Sequence, residues 1–152
     1  MALMDSATFE QLTFLNLERT DQSASGVLAL AASGKFHQLE ILNLSQNRVG
    51  DRGARILAAA SAMRNLRRLL LWNTGLGDDG LNALAESPHL IRLQELNVSN
   101  NRIGPAGIKA LAQSAGFKRL HKLDLRNNRF SVNTFAQFAY SSQFKNLEEF
   151  RF

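Results

Sequence analysis

The chain has 152 residues, 18 lysines and arginines against 13 aspartates and glutamates, a net charge of +5, and no cysteine. That length is one domain with room for a continuous core, and the absence of thiols excludes a disulfide framework and any thiolate metal site. No apolar run approaches membrane length, and Met1-Ala2-Leu3-Met4-Asp5-Ser6 has no basic stretch leading into an apolar core. A soluble, cytoplasmic protein without membrane attachment is the expectation.

In chain order, residues 1–11 precede any regular pattern and read as an N-terminal cap segment. From residue 12 to 152 a leucine returns every 27 residues, at Leu12, Leu39, Leu66, Leu93, Leu120 and Leu147. Each opens the phrase L-x-x-L-x-L-x-x-N/T, as in Leu39-Leu42-Leu44-Asn47, Leu66-Leu69-Leu71-Thr74, Leu93-Leu96-Val98-Asn101 and Leu120-Leu123-Leu125-Asn128. The first copy runs Leu12-Leu15-Leu17-Thr20, and the sixth stops at Leu147-Phe150-Phe152. Within each phrase the alternation of apolar and polar residues predicts a short strand with its fourth and sixth places inward. An apolar residue and two spaced glycines follow: Val49-Gly50 with Gly53, Leu76-Gly77 with Gly80, Ile103-Gly104 with Gly107. Apolar residues then recur at helical spacing, Ala54-Leu57-Ala58 in one unit and Leu81-Leu84-Ala85 in the next.

This phrase and period resemble the leucine-rich repeat proteins, and the glycine-containing, helix-bearing unit is similar to the ribonuclease-inhibitor-like class. Ser87-Pro88-His89-Leu90 followed by Asn100-Asn101-Arg102-Ile103-Gly104 resembles bacterial members, while the lack of cysteine departs from the cysteine-rich mammalian ones. The resemblance implies an α/β fold, a right-handed leucine-rich repeat solenoid forming a short horseshoe arc. Its parallel sheet would lie on the concave side and its helices on the convex side, in five full repeats and a partial sixth. One unit cannot bury its own leucines, so stacked neighbours must do so.

The repeat register assigns several residues to structure. Asn47, Asn101 and Asn128 fall at strand ends among apolar positions, where a buried amide needs partners that successive loop backbones can supply. Thr20 and Thr74 replace them in part. Pro105 suits a first helical turn, and Asp51 and Asp78 at the same place favour a helix dipole. Gly75-Leu76-Gly77-Asp78-Asp79-Gly80 spells a dinucleotide-type motif, but Gly77 and Gly80 only continue the repeat series, and Glu95 falls in mid-strand. His37, His89 and His121 stand near helix-to-strand junctions of separate repeats, with no nucleophile or metal spacing beside them. No catalytic set, cofactor or metal is expected.

Function is therefore sought on the outward strand columns. At the third place these run Phe14, Ile41, Arg68, Glu95, Lys122, Glu149; at the fifth Asn16, Asn43, Leu70, Asn97, Asp124, Arg151; at the seventh Glu18, Ser45, Trp72, Ser99, Arg126. The alternating charges from Arg68 to Glu149 predict a ladder satisfied within itself. Phe14, Ile41, Leu70 and Trp72 are apolar where water is expected. With Arg68 and Arg126 they make the candidate protein-binding residues of a non-enzymatic interaction module. The basic residues Arg64, Arg67, Arg68, Arg92, Lys118, Arg119 and Lys145 gather where helices return to strands, but without interleaved aromatics a nucleic-acid partner is disfavoured. Two alternatives stay open: a regulator of a small GTPase acting through Arg48, Arg102 or Arg129, and self-association through Phe150 and Phe152 at the aromatic C-terminal edge. That edge also bears Phe130, Phe135, Phe138, Tyr140 and Phe144, and loses the repeat glycines at Ser131 and Thr134.

Overall fold

The computed structural model describes residues 7–114, 116–136 and 146–152, with side chains from Phe9 onward and excepting that of Phe135. Phe138, Tyr140, Phe144 and Lys145 lie outside the described residues, as does the first half of the predicted cap. Six three-residue strands appear at the 27-residue spacing: β1 Phe14–Asn16, β2 Ile41–Asn43, β3 Arg68–Leu70, β4 Glu95–Asn97, β5 Lys122–Asp124 and β6 Glu149–Arg151. They pair in parallel and in sequence order, so that each residue faces its equivalent in the next repeat, Leu15 against Leu42 and Leu42 against Leu69. Between them stand α1 Ala24–Ala32, α2 Gly50–Ala59, α3 Asp78–Ala85, α4 Pro105–Gln113 and α5 Val132–Ala136. The fold is α/β, a leucine-rich repeat solenoid.

Stacking explains burial. Leu39, Leu42, Leu44, Leu66, Leu69, Leu71, Leu96 and Val98 are almost wholly enclosed between the sheet and the helices, whose Leu57, Leu81, Leu84 and Ile108 meet them. Leucines of the first and last repeats are only partly buried, because each has a neighbour on one side. At the N-terminal end a short 3-10 helix, Ala7–Gln11, sets Phe9 edge-on against Phe36, ring centroids 6.1 Å apart, which extends the core past β1.

The strand-end amides tie the repeats together. Asn101 donates through Nδ2 to the carbonyls of Leu71 (2.8 Å), Val98 (2.9 Å) and Ser99 (3.2 Å). Its Oδ1 accepts from the N–H groups of Thr74 (3.0 Å) and Leu76 (2.9 Å). One side chain thus satisfies backbone of its own repeat and of the one before. Asn47 repeats the pattern, donating to Leu17 (2.7 Å) and accepting from Thr20 and Gln22, and Asn128 does so with Val98 and Ile103. Thr74 and Thr20 do less: each hydroxyl donates to a carbonyl of its own repeat, Leu71 (2.9 Å) or Leu17 (2.7 Å), and that of Thr74 lies 3.3 Å from Asn101 Oδ1.

A second ladder runs along the helix ends, where sequence periodicity did not single it out. Ser87 Oγ donates to the Ala58 carbonyl at 2.6 Å and accepts from the N–H of His89 and Leu90. Ser114, one repeat on, donates to Ala85 at 2.6 Å. Both hydroxyls are buried, and both join consecutive units.

The helix N-termini show a difference from the sequence expectation. Asp51 and Asp78 sit in the first turns of α2 and α3, but their carboxylates serve the following helix. Asp51 Oδ1 accepts from Gly77 N–H (2.6 Å) and Gly80 N–H (3.0 Å), and Asp78 Oδ1 from Gly104 N–H (2.6 Å). A carboxylate there meets both orphan donors and the positive end of the dipole. It also accounts for Gly80 and Gly107, since a Cβ on Gly107 would stand 2.6 Å from Asp78 Oδ1 and 2.9 Å from Ile103, and one on Gly80 would crowd Asp51 Oδ1. The fourth repeat carries Pro105 at this place, at the start of α4, and has no carboxylate to extend. The next unit has Ser131 and Thr134 instead of glycines, and Ser131 Oγ accepts the Thr134 N–H at 3.2 Å. The last unit thus lacks both the repeat glycines and an aspartate in the unit before it.

Two stability effects should follow. Asn101→Ala should lower unfolding free energy by about 3 kcal/mol, more than Thr74→Ala, because several buried donors and acceptors in two repeats lose their partner; chemical denaturation measures both. Gly107→Ala should cost about 1–3 kcal/mol by overpacking and less on an Asp78→Ser background. Strict additivity in that double-mutant cycle would show that Asp78 is not what excludes a side chain at 107.

Candidate functional site

Parallel pairing places the outward residues in columns about 4.8 Å apart. Phe14, Ile41, Arg68, Glu95, Lys122 and Glu149 are consecutive partners, and so are Asn16, Asn43, Leu70, Asn97, Asp124 and Arg151. The seventh-place residues lie just past the strands and keep the register: Gln46 N–H donates to the Trp72 carbonyl (2.7 Å) and Asn73 N–H to that of Ser99 (3.0 Å).

The C-terminal half of this face is neutralised from within. Arg68 Nε meets Glu95 Oε2 at 2.7 Å and Lys122 Nζ meets Glu149 Oε2 at 3.2 Å, as the alternating column predicts. Arg151 also reaches Glu149, at 2.6 Å. Arg126 grips Asp124 in its own strand end with Nε (3.1 Å) and Nη2 (2.7 Å), and its N–H adds a third bond at 3.1 Å. A depression of about 300 Å³ on this half is lined by Arg68, Lys122 and Arg151 with Glu95, Asp124 and Glu149, equal numbers of each sign. Arg68 and Arg126 are therefore held by carboxylates of this chain and border the apolar region instead of presenting free charge to it. Burial pushes the Asp124 carboxyl up, but the hydrogen bonds from Arg126 and the charges of Arg126 and Arg151 outweigh it and hold the group below its ordinary value. The hydrogen bond from Lys122, then the charge of Arg151, do the same to Glu149.

The N-terminal half is different. Phe14 is 52% exposed, while Ile41, Leu70 and Trp72 are half-buried. Ser45 and Ser99, on either side of Trp72, are buried. The polar groups nearby are matched among themselves: Glu18 accepts from Asn43 Nδ2 (3.1 Å) and Gln46 Nε2 (2.7 Å). What this half offers to another molecule is its apolar surface, running diagonally from Phe14 and Ile41 to Leu70 and Trp72. At the far edge Phe150 is half-buried against the core and stacks on the half-exposed Phe152 with centroids 5.1 Å apart.

Of the basic residues at the helix-to-strand junctions, Arg67 pairs with Glu40 at 3.6 Å and Arg92 donates to Asn65 at 2.9 Å. Arg48, Arg102 and Arg129 lie together at the strand-end rim, and Arg19 joins them there. Sequence register missed Arg19, which stands two places earlier, in a column that is otherwise Gln46, Asn73, Asn100 and Asn127. Its signal is conformational, since all five have φ between 52 and 57°. Gly75, the glycine left over from the dinucleotide-like motif, has φ +75° and turns the same loop. His37, His89 and His121 remain in separate repeats, and among the described residues no three His, Asp or Glu side chains are grouped to hold a metal. No described helix is long and apolar enough to cross a membrane.

Comparison with known proteins agrees with this architecture. The leucine-rich repeat family description matches residues 37–58 and 89–112 through one profile and 119–140 through another. Those segments are leucine-rich repeats by sequence. Its structure is similar to the tropomodulin C-terminal domain of Caenorhabditis elegans, with a TM-score of 0.63, 22% identity, and coverage of 84% of this chain and 81% of that one. It is also similar to leiomodin-1 actin-binding site 2, with a TM-score of 0.53, 15% identity, and coverage of 97% and 75%. No curated protein sequence matches it.

The Asp124–Arg126 clamp generates a pH prediction. A carboxyl whose native value lies below its ordinary 3.8 contributes stability that is present above that value and lost as pH falls through the native one. Arg126→Ala should therefore raise the Asp124 midpoint seen by carboxyl NMR. An unshifted midpoint would remove Arg126 as the cause.

Proposed function

We propose that this chain is a non-enzymatic protein-interaction module of the ribonuclease-inhibitor-like class that takes a protein partner on the N-terminal half of its concave sheet face. The contact runs through Phe14, Ile41, Leu70 and Trp72, with Arg68 and Arg126 at its border. One observation carries the reading: apolar side chains occupy solvent-facing columns in that half, whereas the other half is closed by its own ion pairs. A partly exposed tryptophan beside aliphatic and aromatic groups, rimmed by polar residues, is how the centre of a protein interface is composed. Leucine-rich repeats in the sequence and a structural neighbour described as an actin-binding site support a protein as the partner, and make actin the first to try. Neither the GTPase-regulator reading nor self-association through Phe150 and Phe152 has an observation of its own in its favour.

Trp72→Ala with Leu70→Ala should reduce partner recovery at least about tenfold, since loss of a central anchor typically costs 2 kcal/mol or more. Pull-down from extracts of the source organism, with actin co-sedimentation as a defined arm, provides the measurement. Undiminished recovery by a variant with an unchanged circular dichroism spectrum would eliminate the patch.

A further inference from the structure

Outside the concave face, the strand-end loops form a second surface. Their left-handed turns at Arg19, Gln46, Asn73 and Asn100 fold the chain at one place in successive repeats and leave a groove of about 890 Å³ along the rim. Its charged lining is Arg19, Arg48, Arg102 and Arg129 against one acid, Asp21. Asp21 lies 3.7 Å from Arg48 with both side chains more than 80% exposed, a pair that water screens heavily. Among the described residues Arg19, Arg102 and Arg129 have no ion pair, in contrast to the arginines of the concave face, each of which is engaged.

The register gives the groove a shape. Arg48, Gly75, Arg102 and Arg129 hold the same place in consecutive repeats, so two arginines flank a gap about 10 Å wide and a third follows about 5 Å on. In that gap Gly75 has no atom within 4 Å of where a Cβ would stand, which leaves the opening clear. Asn73 and Asn100 line the same stretch with amide groups suited to a peptide main chain. No aromatic or aliphatic side chain larger than threonine lines it, so it has neither the stacking platform of a single-strand nucleic-acid site nor the apolar floor of a groove for an amphipathic helix.

We propose that this rim groove binds an extended acidic segment of a protein partner, independently of the Trp72 patch. Acidic side chains on alternate residues of an extended chain recur about every 7 Å, within reach of arginines spaced about 5 and 10 Å. The guanidinium fork grips carboxylates bidentately, and the net charge of +5 draws an acidic chain in.

The test uses the full chain and a fluorescein-labelled octapeptide of alternating Asp and Ser, followed by anisotropy at low salt. Arg102→Glu with Arg129→Glu, both highly exposed positions, should weaken binding at least about tenfold. Arg19→Glu with Arg48→Glu should repeat the loss from the other end of the groove. Arg64→Glu with Arg119→Glu, an equal change of net charge at the opposite junctions, should leave the affinity within about twofold, as should Trp72→Ala. The proposal is overturned if the peptide fails to bind, if the Arg64 and Arg119 reversals weaken it as much as the rim reversals, or if a labelled oligothymidylate of equal charge binds more tightly.

Discussion

Everything in this solenoid hangs on the need to satisfy backbone groups at the point where each strand turns away from the sheet. The strands are three residues long, the chain leaves them through a left-handed turn, and the asparagine that follows the turn is buried at Asn47 and Asn101. Asn47, Asn101 and Asn128 resolve this by bridging two repeats each. A buried unpaired amide or carbonyl costs about 1–3 kcal/mol, so the amides set the spacing of neighbours as firmly as the leucines do. Leucines exclude water but would tolerate a sliding stack; directional bonds with lengths near 2.8 Å do not. The columns on the concave face, and hence the pairing of Arg68 with Glu95 and the isolation of Trp72, inherit their register from those bonds.

On the helix side, the same demand is met with charge. Each aspartate reaches forward to the next helix, and the glycines there make room for it. The end helices differ: α1 is capped by Ser23, which accepts from Ser25 N–H, and α5 is preceded by Ser131, which accepts from Thr134 N–H. Caps from the preceding repeat thus serve the inner helices α3 and α4, caps from the same repeat serve α1 and α5, and α2 has no side-chain cap. With the serine ladder at the helix C-termini, both ends of the convex layer are tied between repeats by side chains that are small or short enough to be held in one geometry.

Much of this was legible in the residues. The leucine period alone places all six strands, because a parallel stack makes equivalent residues partners, and the charge ladder from Arg68 to Glu149 follows from reading one column. The strand-end asparagines were legible for the same reason, being polar residues at positions that the period makes internal. The direction of Asp51 was not. Periodicity says which residues are equivalent but not whether a side chain serves its own unit or the next, and Asp51 stands in the first turn of one helix while bonding another. The rim groove was legible only in part. Arg48, Arg102 and Arg129 form a visible row, but Arg19 enters it through a positive φ, which a side-chain pattern does not encode for arginine. Trp72 stood out as the sole tryptophan in a water-facing column, yet the burial of the serines around it is a tertiary property.

The forward reach of the aspartates also makes the units unequal as building blocks. A segment from Asp51 to Gly77 carries both an acid to hand on and a glycine to receive one, so it could be copied in tandem and every copy would find its cap. A segment from Pro105 to Ser131 carries neither, so a helix placed after it would start without a carboxylate from the preceding unit, as α2 does after Ala24. Whole repeats are therefore not interchangeable, since only the units beginning at Asp51 and Asp78 hand a carboxylate to the helix that follows.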